Sequence, residues 1–281
     1  MSYVKPNEFV KTMVDAGESK LFMHPRDVLI RAFMAGAILA IAVALAVTAA
    51  VQTGYPIVGA LIFPVGFCIL NLLGFDLLTG VFALVPLALF DKRPGATTSG
   101  MFKNWGLVAL GNLLGALFSA TLIAISLTYA FTAEPTAVGK AFAGAAEART
   151  LGFAEYGAAG WFTVFVKGIL CNWMVSIGVV GAMYSKTVGG KVIAMWMPIL
   201  IFFGLVFEHA VVNMYLFPLG MMMGAPITIG DWLFWNEIPV LLGNLVGGLL
   251  LTGSVLYATH LKPGQVRKPV VSSDSADAVK A

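Results

Sequence analysis

The chain has 281 residues, 59% of them hydrophobic and only 11% charged, with 17 Lys and Arg against 14 Asp and Glu. This composition excludes a water-soluble domain. The cations cluster at the ends of apolar runs, so no basic patch for nucleic acid exists. Two cysteines, Cys68 and Cys171, both inside apolar segments, give no disulfide framework.

Residues 1–30 are polar and charged, without the short apolar core and cleavage site of a signal peptide. Phe9, Val10, Met13, Val14 and Leu21 share one helical face, with Lys11, Asp15 and Glu18 on the other. This predicts an amphipathic helix at the cytoplasmic interface of a lipid bilayer. No charge occurs between Arg31 and Asp76. Six apolar spans follow, at about 30–51, 57–90, 104–131, 159–183, 192–224 and 238–260. They make residues 31–260 the membrane domain and 261–281 a polar, disordered cytoplasmic tail. Lys5, Lys11, Lys20, Arg26 and Arg31 precede the first span, and Lys92, Arg93, Lys103, Lys186 and Lys191 occupy the even loops. Lys262, Arg267, Lys268 and Lys280 lie beyond the sixth span. The opposite side has only Lys140 and Arg149 among acids. The positive-inside rule places both termini in the cytoplasm of an inner-membrane protein.

The second and fifth spans are too long. Residues 57–90 as one helix would reach about 50 Å, against a hydrocarbon core of roughly 30 Å. Each carries an acid near its middle, Asp76 and Glu208, so each is expected to be two half-helices joined by a loop. One reading makes Asp76 the cap of the second half-helix. The acids are also related by a repeat at an offset of 132 residues. Phe33-x-x-Gly36 recurs as Phe165-x-x-Gly168, Leu84-x-Pro86-Leu87 as Leu216-x-Pro218-Leu219, and Asn104 as Asn236. Gly111-Asn112-Leu113-x-Gly115-x-Leu117 recurs as Gly243-Asn244-Leu245-x-Gly247-x-Leu249. Three spans per copy make the repeats, about 31–131 and 159–260, inverted in the membrane.

Inside the spans stand Lys167, Asn172 and His209. Lys167 either snorkels to the interface or draws anions with a fixed positive charge. Asn172 serves helix packing or substrate hydrogen bonding. His209 sits in the fifth span's break beside Glu208, where an imidazole handles protons near neutral pH. There is no phosphate loop, no metal-ligand cluster and no Gly-x-Ser-x-Gly nucleophile, and Met221-Met222-Met223 reads as packing. The chain therefore reads as a non-enzyme with no cofactor.

Four motifs carry a resemblance: Gly74-Phe75-Asp76-Leu77-Leu78-Thr79-Gly80, Lys167-Gly168-Ile169-Leu170-Cys171-Asn172-Trp173, Phe207-Glu208-His209-Ala210-Val211-Val212-Asn213-Met214, and Gly243-Asn244-Leu245-Val246-Gly247-Gly248. Over residues 5–260 the chain resembles the formate–nitrite transporter family. It departs from the family pattern at Phe75, Leu78 and Ser176. The resemblance implies an all-α, aquaporin-like integral membrane fold of six spans, arranged as 3+3 inverted repeats with the second and fifth broken. It implies a homopentamer with one pore per protomer. It also implies a midplane anion site from Thr79, Asn172 and His209, with Glu208 and Asn213 in the same motif. Apolar rings from Phe63, Phe67, Leu78 and Phe202 would flank that site.

The expected activity is pH-dependent, proton-coupled transport of formate. Nitrite, bicarbonate or hydrosulfide, and a neutral-solute channel of the water–glycerol type, are the alternatives. Lys167 would gather the anion. A proton from His209, or from water ordered by it, would neutralise the anion between the rings. Glu208 would orient the histidine.

Overall fold

The computed structural model describes residues 2–262, and they are helical apart from loops and one isolated antiparallel bridge between Tyr3 and Ser185. The expected tail lies outside the described residues beyond Lys262. In chain order the helices are α1 (Pro6–Leu21), α2 (Pro25–Thr53), α3 (Pro56–Ile62), α4 (Pro64–Leu72), α5 (Leu78–Phe90) and α6 (Thr98–Leu127). They continue as α7 (Ala137–Ala148), α8 (Leu151–Ala154), α9 (Gly157–Gly181), α10 (Val188–Gly204), α11 (Ala210–Met222), α12 (Ile229–Trp232), α13 (Ile238–Gly248) and α14 (Val255–His260). Local chemistry sets many boundaries. Pro occupies the first turn of α1, α2, α3 and α4, where its missing N–H costs nothing. Thr97, Thr136, Thr187 and Thr228 cap α6, α7, α10 and α12 with their side chains.

Among the described residues, α2, α6, α9 and the run Ile229–His260 are long and apolar enough to cross a membrane. Their outward faces are apolar, as at Ile41 and Leu45 on α2, Phe118 and Leu122 on α6, Phe162 on α9 and Leu242 on α13. So large an apolar surface suits lipid or a second copy of the chain rather than water. The last run is interrupted by π-helical turns at Leu233–Glu237 and Leu249–Ser254. These were not legible in the sequence.

The two long apolar stretches are broken where the acids stand. Helix α4 stops at Leu72 and α5 starts at Leu78; α10 stops at Gly204 and α11 starts at Ala210. Both breaks turn in the same way. The N–H of Phe75 donates to the Leu70 carbonyl at 2.9 Å, and that of Phe207 to the Phe202 carbonyl at 3.1 Å. In each turn one residue is left-handed: Gly74 at φ +73° and, 132 positions on, Val206 at φ +54°. Glycine takes that conformation freely, whereas a β-branched residue is strained there.

Helix α2 packs along α6, and α9 packs along α13. Glycines permit the close approach. A Cβ on Gly115 would run into the Phe33 carbonyl, and one on Gly247 into the Ile169 carbonyl. Helix α1 lies on α5, and its apolar face is covered by protein rather than lipid, with Phe9, Val10, Met13 and Val14 buried. Arg93, after α5, pairs with Asp15 at 2.7 Å and Glu18 at 2.8 Å, which fixes α1 there. Helix α7 falls where the sequence shows only a connection between repeats. It lies on α11 as α1 lies on α5.

Candidate functional site

The breaks are held by two asparagines from the repeated Gly-Asn-Leu motif. Oδ1 of Asn112 accepts the Leu78 N–H at 2.8 Å, and its Nδ2 donates to the carbonyls of Asp76 at 2.9 Å and Ala32 at 2.8 Å. Oδ1 of Asn244 accepts the Ala210 N–H at 3.0 Å, and its Nδ2 donates to the carbonyls of Glu208 at 3.0 Å and Gly168 at 2.8 Å. Each side chain thus satisfies a donor at the start of one half-helix and an acceptor in the loop before it. The expected cap, Asp76, does not play that part: α5 has no cap bond from a side chain at its N-cap position, and Asp76 turns to Lys20.

His209 occupies the N-cap of α11 and is 2% exposed. Its Nδ1 accepts the Val212 N–H at 3.2 Å, so in the neutral ring the proton sits on Nε2. Nε2 faces the Thr79 hydroxyl at 3.2 Å, in the first turn of α5. The centre of the site therefore joins the two breaks. Asn172 completes it: its Nδ2 donates to the Thr79 carbonyl at 3.1 Å and the Asn244 carbonyl at 2.6 Å, while its Oδ1 accepts from Ser176 at 3.1 Å. The Phe202 ring stacks on the His209 ring at 5.7 Å, and Phe63 meets Phe202 edge-on at 5.6 Å. Phe67 and Leu78 are buried in the same core.

Glu208 is not the orienting partner of His209. Its buried Oε2 accepts from Asn213 at 3.0 Å and Asn236 at 3.2 Å, and lies 3.5 Å from Arg149 Nη1. Asn213 also donates to Asn236 Oδ1 at 2.6 Å. Lys167 is not brought to this group. Its ammonium lies over the Phe153 ring, 5.3 Å from the centroid. At the first break the cation is Lys20, at the end of α1.

Two cavities adjoin the breaks. One of about 160 Å³ is lined by Lys20, Asp76, Gly80, Leu84, Val179 and Ala182. The other, about 230 Å³, is lined by Arg149, Val206, Val212, Leu216, Val47 and Ala50. Gly80 and Val212, Leu84 and Leu216, Val47 and Val179, and Ala50 and Ala182 are each 132 residues apart. The cavities are therefore built from equivalent positions, each with one cation and one break. His209 and Thr79 line neither; they belong to the apolar partition. Lys20 and Arg149 escaped the sequence reading because they fall out of the repeat's register. Asn112 and Asn244 were visible as a repeated pair without an assigned role.

The family model for formate/nitrite transporters matches residues 7–258. A probable formate transporter of Methanothermobacter thermautotrophicus is 34% identical over 276 residues, covering 93% of this chain and 98% of that one. Formate channel FocA of Escherichia coli K12 is 29% identical over 283 residues, covering 92% and 94%. Among solved structures, an FNT family ion channel aligns with a TM-score of 0.76 at 23% identity, covering 90% of this chain and 98% of that one. A pentameric formate channel with formate bound aligns at 0.69 and 20%, covering 84% and 98%. These likenesses and the apolar helices make the protein a multi-pass membrane protein of channel fold. The chain belongs to the formate/nitrite transporter family.

Proposed function

We propose that this protein carries formate across the cytoplasmic membrane as a pH-dependent channel or proton-coupled transporter, not as an enzyme. The observation that carries the reading is the His209–Thr79 contact, which joins the two breaks between two cavities that each hold a cation. Nitrite, of nearly the same size and charge, is the second substrate. The names of the relatives support formate.

In this reading residues 31–260 form six spans, with α3–α4 and α5 as the second and α10 and α11 as the fifth. The spans form inverted repeats with both termini cytoplasmic. The equivalent hydrogen bonds at Asn112 and Asn244 support the repeat. The functional unit is a homopentamer with one pathway per protomer. A named pentamer among the similar structures and the apolar outer faces support it.

The chemistry is a charge problem. A charge at the bilayer centre costs at least about 2.5–3.5 kcal/mol, so a bare anion is rejected by an apolar partition. Lys20 and Arg149 raise the anion's concentration at the two mouths, and Lys167 adds to the positive potential. Glu208 and Asn213 hold Arg149 in place. Between the mouths Phe63, Phe67, Leu78 and Phe202 exclude water. Partial desolvation raises the proton affinity of a weak-acid anion. The anion takes a proton through water ordered by His209 and Thr79, with Asn172 holding Thr79. That water is reprotonated from the bulk through the entry cavity, so that one proton from the entry side travels with each anion and no hydroxide is left behind. The anion crosses as the neutral acid.

Flux of formate, nitrite, bicarbonate and glycerol into proteoliposomes, with internal pH followed, tests this. Formate and nitrite should enter with acidification and glycerol should not. Glycerol flux without an anion response would return the chain to the neutral-solute class.

A further inference from the structure

Asn104 and Asn236, 132 residues apart, take no part in the steps above as direct contacts of the anion, yet both are buried, at 4% and 0% exposure. Nδ2 of Asn104 donates to the main-chain carbonyl of Lys20 at 3.0 Å. Nδ2 of Asn236 donates to the main-chain carbonyl of Arg149 at 2.9 Å. Those two residues are the cations that pair with Asp76 and Glu208. The match is not a by-product of sequence register. Lys20 and Arg149 are 129 positions apart, three short of the offset that relates the asparagines, and they differ in side chain.

The shared chemistry lies in the backbone. Lys20 is in the last turn of α1 and Arg149 is the C-cap of α7. Carbonyls at a helix end lack an i+4 donor. The Lys20 carbonyl has a long main-chain bond from the Met23 N–H at 3.4 Å, and in each case a side-chain amide supplies a better donor. The charged end of each long cation is held by its carboxylate, Asp76 or Glu208, and anchoring the main chain fixes the other end, so that together they narrow where the charge resides.

We propose that Asn104 and Asn236 are positioning residues that hold Lys20 and Arg149 at the two mouths, fixing the positive charge that an entering anion meets. The proposal rests on the anion-transport reading. The mouths differ in one respect. Asn236 also donates to Glu208 and accepts from Asn213, so its loss disturbs the acid as well. Asn104 makes its bond to Lys20 and its Oδ1 has no protein partner, which makes it the cleaner test.

The experiment is formate entry from the Lys20 side in vesicles of one orientation, at low and high ionic strength. Asn104→Ala should raise KM about fivefold, the equivalent of about 1 kcal/mol for a partly exposed charge, with kcat retained. The shift should vanish in high salt. Lys20→Met should raise KM, and adding Asn104→Ala to it should change nothing further, because the tether then has no charge to place. An unchanged KM in Asn104→Ala, or effects that multiply in the double variant, overturns the proposal. If Asn104→Ala does not assemble, the same cycle with Asn104→Leu, an apolar side chain of similar size that cannot donate to the Lys20 carbonyl, decides. Amide exchange over residues 17–23 gives a second readout that needs no transport: it should quicken in Asn104→Ala, and unchanged exchange also overturns the tether. Absence of formate flux in the parent protein sinks the transport reading instead.

Discussion

Replacing Asn244 by alanine removes the acceptor for the Ala210 N–H and the donor to the Glu208 carbonyl. The Gly168 carbonyl is less affected, because it lies within a helix and keeps its intrahelical donor. Two buried backbone groups lose their partner at a depth where water cannot freely replace it. At roughly 1–3 kcal/mol each, the loss amounts to about 2–6 kcal/mol, with about 4 as the central value. Asn112→Ala should cost the same, since Leu78 N–H and the Asp76 carbonyl are its equivalents. Asn244→Asp keeps the acceptor for Ala210 but turns an oxygen toward two carbonyls, so it should not rescue. Thermal unfolding of the purified protein in detergent measures the loss, with formate flux as the functional companion. A loss below about 1 kcal/mol in both alanine variants would refute the reasoning, since it would mean that the breaks are satisfied without the asparagines.

Arg149→Met should reduce anion flux at low ionic strength far more than Lys167→Met, because Arg149 reaches Glu208 and lines a cavity while Lys167 lies on Phe153; equal losses would restore Lys167 as the recruiting charge. Val206→Gly should be neutral to stabilising in thermal unfolding. About 1–2 kcal/mol of left-handed strain is released against about 0.5–1 kcal/mol of chain entropy, and a loss above about 1 kcal/mol would mean that Val206 packs more than it strains. His209→Asn should keep the cap on Val212, since asparagine is a good N-cap, and lose the Thr79 contact. Flux should fall while the proton-to-formate ratio in vesicles matches the parent; a collapsed ratio would mean that the ring itself supplies the proton.

The long apolar stretches and their central acids made both breaks legible, because a helix of that length cannot fit the bilayer. The constant offset also pointed to Asn112 and Asn244, though not to what they bind. What stayed hidden depends on contacts distant in sequence. Arg149 looked like a loop cation because α7 is only 12 residues long and built largely of Ala and Gly, with few large apolar side chains to mark its buried face. Lys167 looked intramembrane by position, but which way its flexible stem turns is set by Phe153 on α8. Adjacency in sequence suggested that Glu208 serves His209. In the break the backbone is extended at His209, so neighbouring side chains diverge and Glu208 meets Asn213 and Asn236 instead. The π-helical turn at Leu233–Glu237 places Asn236 and Glu237 inside, with Trp232 Nε1 donating to Glu237 at 2.9 Å. No residue pattern announces it.

The same geometry bears on where the proton comes from. His209 Nδ1 is committed to the Val212 N–H, so the ring has one proton, on Nε2. If the neutral ring gave that proton to the substrate, an imidazolate would remain in a buried site, an anion with no cation against it. If the ring first became imidazolium, Nδ1 would carry a hydrogen and lose its bond to Val212, leaving a donor at the start of α11 without its acceptor. Both routes cost more than leaving the ring neutral. A neutral Nε2–H facing a hydroxyl can instead orient that hydroxyl, and with it a water or an anion beside it. The cations stand at the mouths and the centre is neutral. In the proposed transport an anion is drawn first to a cavity bearing Lys20 or Arg149 and is neutralised as it reaches the His209–Thr79 contact, where water is given up. We propose that order, attraction at Lys20 and Arg149 before neutralisation beside a neutral His209, because the cations stand at the cavities, each against a carboxylate, and the contact between the breaks carries no charge.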